Sequence, residues 1–368
     1  MKIGIDARTI IGKRAGKGQY TYNLIKALTK IDKKNRYLLY FSKQPSVFDF
    51  QFPDNFKIKV ISWPSLFWHL ITLVKLKKDK IDLFLAPTSY IIPALGFKKS
   101  VVVVHDLFSF FGLTSHQKKA TLIERFTAER AFRQAEKIIA ISENTKNDLI
   151  NLFRINPNKI SVVYLGVDQQ FVSNLDKDKI DQVLKKHKLP KEFFLFVSTL
   201  EPRKNVVRLI KAYHRLVINS WQLTTKLVIV GQKGWNYQEI FDTVDKLNLK
   251  DRVIFADYIK NRDLPYLYNQ ALAFVFPSLY EGFGLPVLEA MACGCPVITS
   301  NISSLPEIGS DAVLYVDPYN IDEIAGAMKE ILVNKEMRKK LKEKGLRQAK
   351  NFSWEKTAKE TLKILEKI

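Results

Sequence analysis

The chain predicts an α/β protein built on parallel sheets, and three observations carry that expectation. Short apolar runs alternate with longer amphipathic stretches from one end of the 368 residues to the other. Some runs, Val101 to Val104 above all, are apolar throughout, as strands buried on both faces require. The length suits two domains of ordinary size, and a hydrophobic content of 46% supplies cores for both.

Taken in order, the first half offers strands at Lys2 to Ile5, Tyr37 to Phe41, Lys57 to Ile61, Asp82 to Ala86, Val101 to Val104 and Lys137 to Ile141. The second half repeats the scheme at Phe193 to Val197, Leu227 to Val230, Val253 to Phe255, Ala271 to Phe276, Pro296 to Thr299 and Val313 to Val316. Between them lies Asn174 to Lys188, rich in Asp and Lys and poor in large apolar residues, which reads as a charged linker. The domains are accordingly set at 1–170 and 171–351. The end, 352–368, is a helix with apolar positions at Phe352, Ala358, Leu362 and Leu365.

Composition removes several classes. No run of about twenty apolar residues is present, and Met1 leads straight into a strand, so a cytoplasmic, non-spanning protein is expected. Two cysteines, Cys293 and Cys295, are too few for a disulfide framework, and five scattered histidines form no metal cluster. The glycines Gly12, Gly16 and Gly18 after the first strand do not make the nicotinamide fingerprint. Asp176-Lys177-Asp178 imitates a metal-binding Asp-x-Asp but sits away from any strand end, and no chemistry is assigned to it. The net charge of +22 is uneven: residues 1–170 hold 28 basic against 13 acidic side chains, and the remainder 31 against 24. Such a surface favours phosphate-rich substrates, anionic lipid or nucleic acid.

The most informative segment is Ser278 to Ile298. Glu281 and Glu289 stand eight positions apart across Gly282-Phe283-Gly284-Leu285-Pro286, with Pro286 suited to the first position of a helix. Glu281 then lies on a loop at the carboxyl end of a strand and Glu289 about one turn into the helix, where both can reach one ligand cleft. The glycines let the main chain approach a ligand, and the amides from Phe283 to Leu285 offer partners to an anion. After the strand Phe193 to Val197, Arg203 and Lys204 in Glu201-Pro-Arg-Lys-Asn205 supply a fork of donors and a point charge for a diphosphate. In the first half, Val101 to Val104 ends in His105-Asp106-Leu107, a histidine placed to hydrogen-bond a sugar hydroxyl or position a reacting carbon. Each has a plainer reading: acids complement helix dipoles, basic pairs usually face solvent, and lone histidines are usually structural.

Glu281 and Glu289, with Gly-Phe-Gly-Leu-Pro between them and Ala-Met-Ala-Cys-Gly-Cys-Pro-Val-Ile after, resemble the Glu-x7-Glu signature of retaining glycosyltransferases of family 4. The Glu-Pro-Arg-Lys-Asn string is similar to that family's diphosphate loop, His105-Asp106-Leu107 to its His-Asp-Leu turn, and Ala15 to Leu24 to its glycine-rich loop, with Ala15 where glycine is usual. The resemblance implies the GT-B fold, two Rossmann-like domains with parallel sheets facing across a cleft, the last helix returning to the first domain.

It further implies transfer of a hexose from a nucleotide diphosphate sugar to a glycan or lipid-linked acceptor, with retention and without metal or other cofactor. His105 and Glu281 become the catalytic candidates. Gly16, Arg203, Lys204, Gly282, Phe283, Gly284, Leu285 and Glu289 become the donor-binding ones, with Tyr258 and Ile259 near the base. Ile5-Asp6-Ala7-Arg8 and Gln19 to Leu24 resemble mannosyltransferases of surface polysaccharide synthesis, which points to GDP-mannose, a UDP-sugar being the other donor considered. A nucleotide-sugar hydrolase or epimerase is the enzymatic alternative. A basic nucleic-acid-binding protein is the remaining one, although no nucleic-acid signature interleaves the basic residues and no specific nucleic acid is expected. Two aromatic clusters, Trp63 to Lys78 and Leu107 to Leu113, fit either a buried core or peripheral contact of the basic first domain with the inner face of an anionic membrane.

Overall fold

Continuous apolar runs become central strands because a parallel sheet is covered on both faces. The computed structural model describes residues 1–11, 16–45, 48–111, 118–219 and 224–368, and leaves out the side chains of 65–66 and 118–124. Gly12, Ala15, Gly112 and Leu113 therefore lie outside the described residues. The chain divides into two compact units, Met1–Gly166 with Ser353–Ile368, and Val167–Phe352.

In the first unit the strands are β1 (Lys2–Asp6), β2 (Arg36–Phe41), β3 (Phe56–Val60), β4 (Leu83–Ala86), β5 (Ser100–Val104), β6 (Lys137–Ala140) and β7 (Ile160–Val162). They pair in parallel in the order β3-β2-β1-β4-β5-β6-β7. Helices α1 (Gly16–Ile31), α2 (Ser65–Lys78), α3 (Ile91–Ala94), α4 (Lys118–Gln134) and α5 (Glu143–Phe153) connect them. On one face Leu38, Tyr40, Phe84 and Val102 pack with Trp68, Leu76 and Phe132 from the helices. The three-residue β7, which the sequence reading does not foresee, closes one edge after the turn at Pro157–Lys159.

The second unit holds α6 (Lys177–Lys186), β8 (Phe193–Val197), α7 (Val206–Ile218), β9 (Lys226–Val230), α8 (Gln238–Lys246), β10 (Val253–Phe255), α9 (Leu264–Gln270), β11 (Ala273–Phe276), α10 (Leu285–Ala292), β12 (Val297–Ser300), α11 (Leu305–Gly309), β13 (Leu314–Val316), α12 (Ile321–Val333) and α13 (Lys335–Ala349). Its strands run β10-β9-β8-β11-β12-β13, also in parallel. Both sheets thus share the Rossmann order, with a switch point between β1 and β4 in one and between β8 and β11 in the other. The charged stretch expected as a linker is helix α6: Asp176 caps it by accepting from the Lys179 amide, while Ile180 and Leu184 are buried.

The last helix, α14 (Trp354–Leu365), belongs to the first unit, where Thr357, Ala358, Thr361 and Leu365 are buried. Ser353 caps it, and Thr357 Oγ1 donates to the Tyr164 carbonyl at 2.8 Å. Gly166 lies against its start so closely that a Cβ there would stand 2.0 Å from the Trp354 nitrogen.

Candidate functional site

Parallel strands deliver their connecting loops to one edge of a sheet, and in the second unit those loops are laced together. The Gly231 amide donates to the Asp257 carbonyl at 2.8 Å, the Leu200 amide to Gln232 at 2.9 Å, and the Leu279 amide to Arg203 at 2.8 Å. These bonds join the loops after β10, β9, β8 and β11 in spatial order. The loops after β8 and β11 flank the switch point, where open α/β sheets take ligands.

The turn after β8 is a single 3₁₀ turn, Pro202–Lys204, followed by Asn205 at φ +61°. Asparagine tolerates that left-handed geometry and fastens it here by donating its Nδ2 to the Pro277 carbonyl at 2.9 Å and the Pro318 carbonyl at 2.7 Å. Lys204 is thereby directed inward. It is 6% exposed, its Nζ lies 2.5 Å from Glu281 Oε1, and Glu281 is itself 7% exposed. Arg203 Nη1 stands 3.7 Å from Glu281 Oε2 and donates to the Tyr280 carbonyl at 3.3 Å, while its Nε bonds Glu201 at 2.5 Å. Desolvation holds the Lys204 ammonium below the usual lysine range, and the Glu281 carboxylate opposes that shift. Two cations and two carboxylates form one cluster, with Lys204 and Glu281 drawn together from positions 77 residues apart.

The main chain of Glu281 is fixed by residues the sequence reading missed. Ser303 Oγ accepts from the Glu281 amide at 3.0 Å and lies 2.7 Å from the Glu281 carbonyl, to which it donates; Ser303 itself sits at φ +61°. Ser304 Oγ reaches the carbonyls of Glu281 and Phe283 at 3.0 and 2.9 Å. The sequence signal was a polar Ser-Ser pair just beyond the buried strand β12.

Helix α10 opens at Leu285, with Pro286 second, and its N-cap Gly284 has φ +107°, a conformation that favours glycine. Gly282 and Phe283 lie on the loop before it, Phe283 buried. Glu289 lies further along α10. The Tyr268 hydroxyl lies 3.4 Å from its Oε2, Asp168 is a nearby like charge, and burial pushes its carboxyl up to about 8. Tyr258 is exposed on the loop after β10, whereas the Ile259 side chain is buried, leaving main chain as what that position presents. The thiols of Cys293 and Cys295 are buried, and burial pushes both up.

In the first unit His105 follows β5 and is 7% exposed. Its Nε2 lies 2.7 Å from the Pro87 carbonyl, a group that can only accept, so Nε2 carries the hydrogen and Nδ1 keeps a lone pair. Desolvation, aided by Lys17, lowers its pKa to about 4, and Tyr20 meets the ring edge-on at 4.8 Å. Gly16 opens α1, and among the described residues a Cβ there would meet nothing within 4 Å.

Solved structures share this architecture over the whole chain. Sucrose-phosphate synthase from Thermosynechococcus elongatus superposes with a TM-score of 0.79 at 20% identity, covering 100% of this chain and 98% of that one. Anabaena Alr3699/HepE, solved with UDP and glucose, does so at 0.79 and 18% identity with full coverage of both. WaaG, a glycosyltransferase involved in lipopolysaccharide biosynthesis, does so at 0.75 and 15% identity, covering 99% of each. The fold is GT-B.

Residues 176–348 match the family described as glycosyl transferases group 1, and residues 15–171 match glycosyltransferase family 4. The O-antigen chain mannosyltransferase B of Escherichia coli is 32% identical over 266 residues, 72% of this chain and 69% of the relative. The serotype-specific mannosyltransferase WbdA of Escherichia coli is 33% identical over 264 residues, which cover 71% of this chain but 32% of that longer protein. The chain belongs to glycosyltransferase family 4, and it is a glycosyltransferase.

Proposed function

We propose that the protein transfers mannose from GDP-mannose to a hydroxyl of a glycan or lipid-linked acceptor in surface polysaccharide or glycolipid synthesis, at the cytoplasmic side, with retention and without a metal. The observation that carries this reading is the cluster of Arg203, Lys204 and Glu281 beside the β8/β11 switch point. The names of the Escherichia coli relatives support the sugar and the pathway class.

The donor diphosphate draws on Arg203 and Lys204 and on the amides of Phe283 to Leu285, whose charge and dipoles are in place before the reaction and stabilise the leaving group. Glu281 accepts from sugar hydroxyls. Glu289, whose carboxyl burial pushes up to about 8, faces the ribose hydroxyls. Tyr258 offers a ring to the base, and Gly16 lets the main chain approach the substrate. His105, neutral at the same pH, offers its Nδ1 lone pair to a substrate hydroxyl. The acceptor oxygen bonds to the anomeric carbon as the bond from that carbon to the diphosphate breaks, and the acceptor proton passes to the departing diphosphate oxygen.

A UDP-sugar is the second reading, favoured by Alr3699/HepE, solved with UDP-glucose. Calorimetry with GDP and UDP, followed by transfer from GDP-mannose in EDTA and nuclear magnetic resonance of the product's anomeric proton, tests the proposal. Tighter binding of GDP, full activity in chelator and an α-linked product are expected. Preference for UDP, loss of transfer in EDTA or a β-linked product would each overturn the corresponding part.

A further inference from the structure

Helix α2 presents two unlike faces. Trp68, His69, Thr72 and Leu76 are buried, and Trp68 and Leu76 belong to the core formed on one side of the first sheet. On the other face Phe67, Leu70 and Val74, with Trp63 just before the helix, are 48% to 65% exposed. At 3.6 residues per turn, Phe67, Leu70 and Val74 fall in a stripe about 60° wide. Lys78 prolongs that stripe by a turn, while Lys77 lies on one flank and Lys75 on the other, all three exposed.

The neighbouring edge strand adds to this charge. β3 pairs in register with β2, Lys57 opposite Leu38 and Lys59 opposite Tyr40, so both lysines stand on the face that α2 covers. The acid of this region, Asp79, is already engaged by the Tyr40 hydroxyl at 2.9 Å and by Lys59 at 3.5 Å.

We propose that α2 is a docking face for an anionic lipid bilayer, with Trp63, Phe67, Leu70 and Val74 entering the headgroup boundary and Lys57, Lys75, Lys77 and Lys78 meeting the lipid phosphates. An apolar stripe ringed by cations has the charge and width of helices that lie in that interface. The basic excess of the first half, 28 against 13, draws the same face toward negative lipid. A second copy is a poor occupant, because a two-fold contact would set these lysines against their own images. The inference is independent of donor and acceptor identity.

Cosedimentation with vesicles of phosphatidylcholine, with and without phosphatidylglycerol, tests it on the full chain. The protein is expected to sediment with the anionic vesicles and to be released by salt. Lys75→Glu/Lys77→Glu/Lys78→Glu should weaken partitioning on the order of 100-fold, each lysine near the surface contributing about fivefold. Phe67→Ser/Leu70→Ser/Val74→Ser should weaken it roughly tenfold or more while the circular dichroism stays native, since these side chains are exposed. Trp63 emission should shift to the blue on anionic vesicles, a shift lost in Trp63→Phe. Equal binding to neutral vesicles, unchanged sedimentation of the serine variant, or no emission shift would overturn the proposal. A dimer in sedimentation equilibrium that the serine variant dissolves would do the same and assign the face to a second copy.

Discussion

The two sheets share one strand order, and the second buries an ion pair beside its switch point where the first adds a buried imidazole to its own. In the second unit the edge is ionic: Lys204 and Glu281 are buried against each other, with Arg203 alongside. In the first, His105 is buried without charge, held in one tautomer by the Pro87 carbonyl and met edge-on by Tyr20, while the buried Asp6 at the end of β1 pairs with Arg8 at 2.7 Å. The topology fixes where a site can be, and a few side chains at the strand ends decide what it does. A buried ion pair is tolerated only with its partner present, whereas a buried neutral imidazole is tolerated only while it stays unprotonated.

Removing one ion should break the contrast most strongly. Lys204→Met leaves the Glu281 carboxylate buried beside Arg203 alone, and unfolding in urea should show a loss of about 3–5 kcal/mol. Glu281→Ala strands Lys204 in the same way, so its activity loss is expected to come with a lowered unfolding midpoint. The double variant Lys204→Met/Glu281→Gln should recover most of the stability and none of the transfer. Wild-type stability in either single variant would show that the pair is not buried in solution.

The buried imidazole should answer to acid. The folded pKa of His105, about 4, lies below its ordinary 6.5, so within that window the unfolded chain binds the extra proton. Its contribution is complete above pH 6.5 and declines as pH falls to 4, by about 3 kcal/mol. Comparing urea midpoints of the wild type and His105→Gln at pH 7 and pH 4.5 isolates it: the variant should lose less on acidification, and parallel losses would refute a buried neutral ring.

The smallest effect belongs to the serine behind Glu281. Ser303→Ala removes both hydrogen bonds to the Glu281 main chain, for about 1–2 kcal/mol and roughly a tenfold loss in kcat/KM. Ser303→Gly suits the left-handed backbone but lacks the hydroxyl, so it should fold as well as wild type and still transfer slowly. Equal activity of the glycine variant would reduce Ser303 to a turn residue.

Much of this was legible beforehand because buried parallel strands announce themselves as apolar runs, and because Glu-x7-Glu is compact enough to be seen whole. What escaped is what folding brings together. Nothing local shows that Lys204 faces Glu281, 77 residues away, or that Ser303 closes on the same glutamate. The three-residue β7 is too short to show a period. Asn174 to Lys188 read as a linker because its two buried side chains, Ile180 and Leu184, are outnumbered by charges. The cluster from Trp63 to Lys78 fitted core and membrane alike, and α2 buries apolar residues on one face and exposes them on the other.

The close fit of Gly166 against the start of α14 reaches into how the polypeptide is made. The second unit is continuous from Val167 to Phe352 and is complete as soon as that stretch leaves the ribosome. The first, although translated earlier, waits for 353–368 to fill the seat beside Gly166, so biosynthetic order and order of completion are reversed. A fragment ending at 166 is accordingly expected to bind chaperones and to be rescued by supplying the terminal helix in trans.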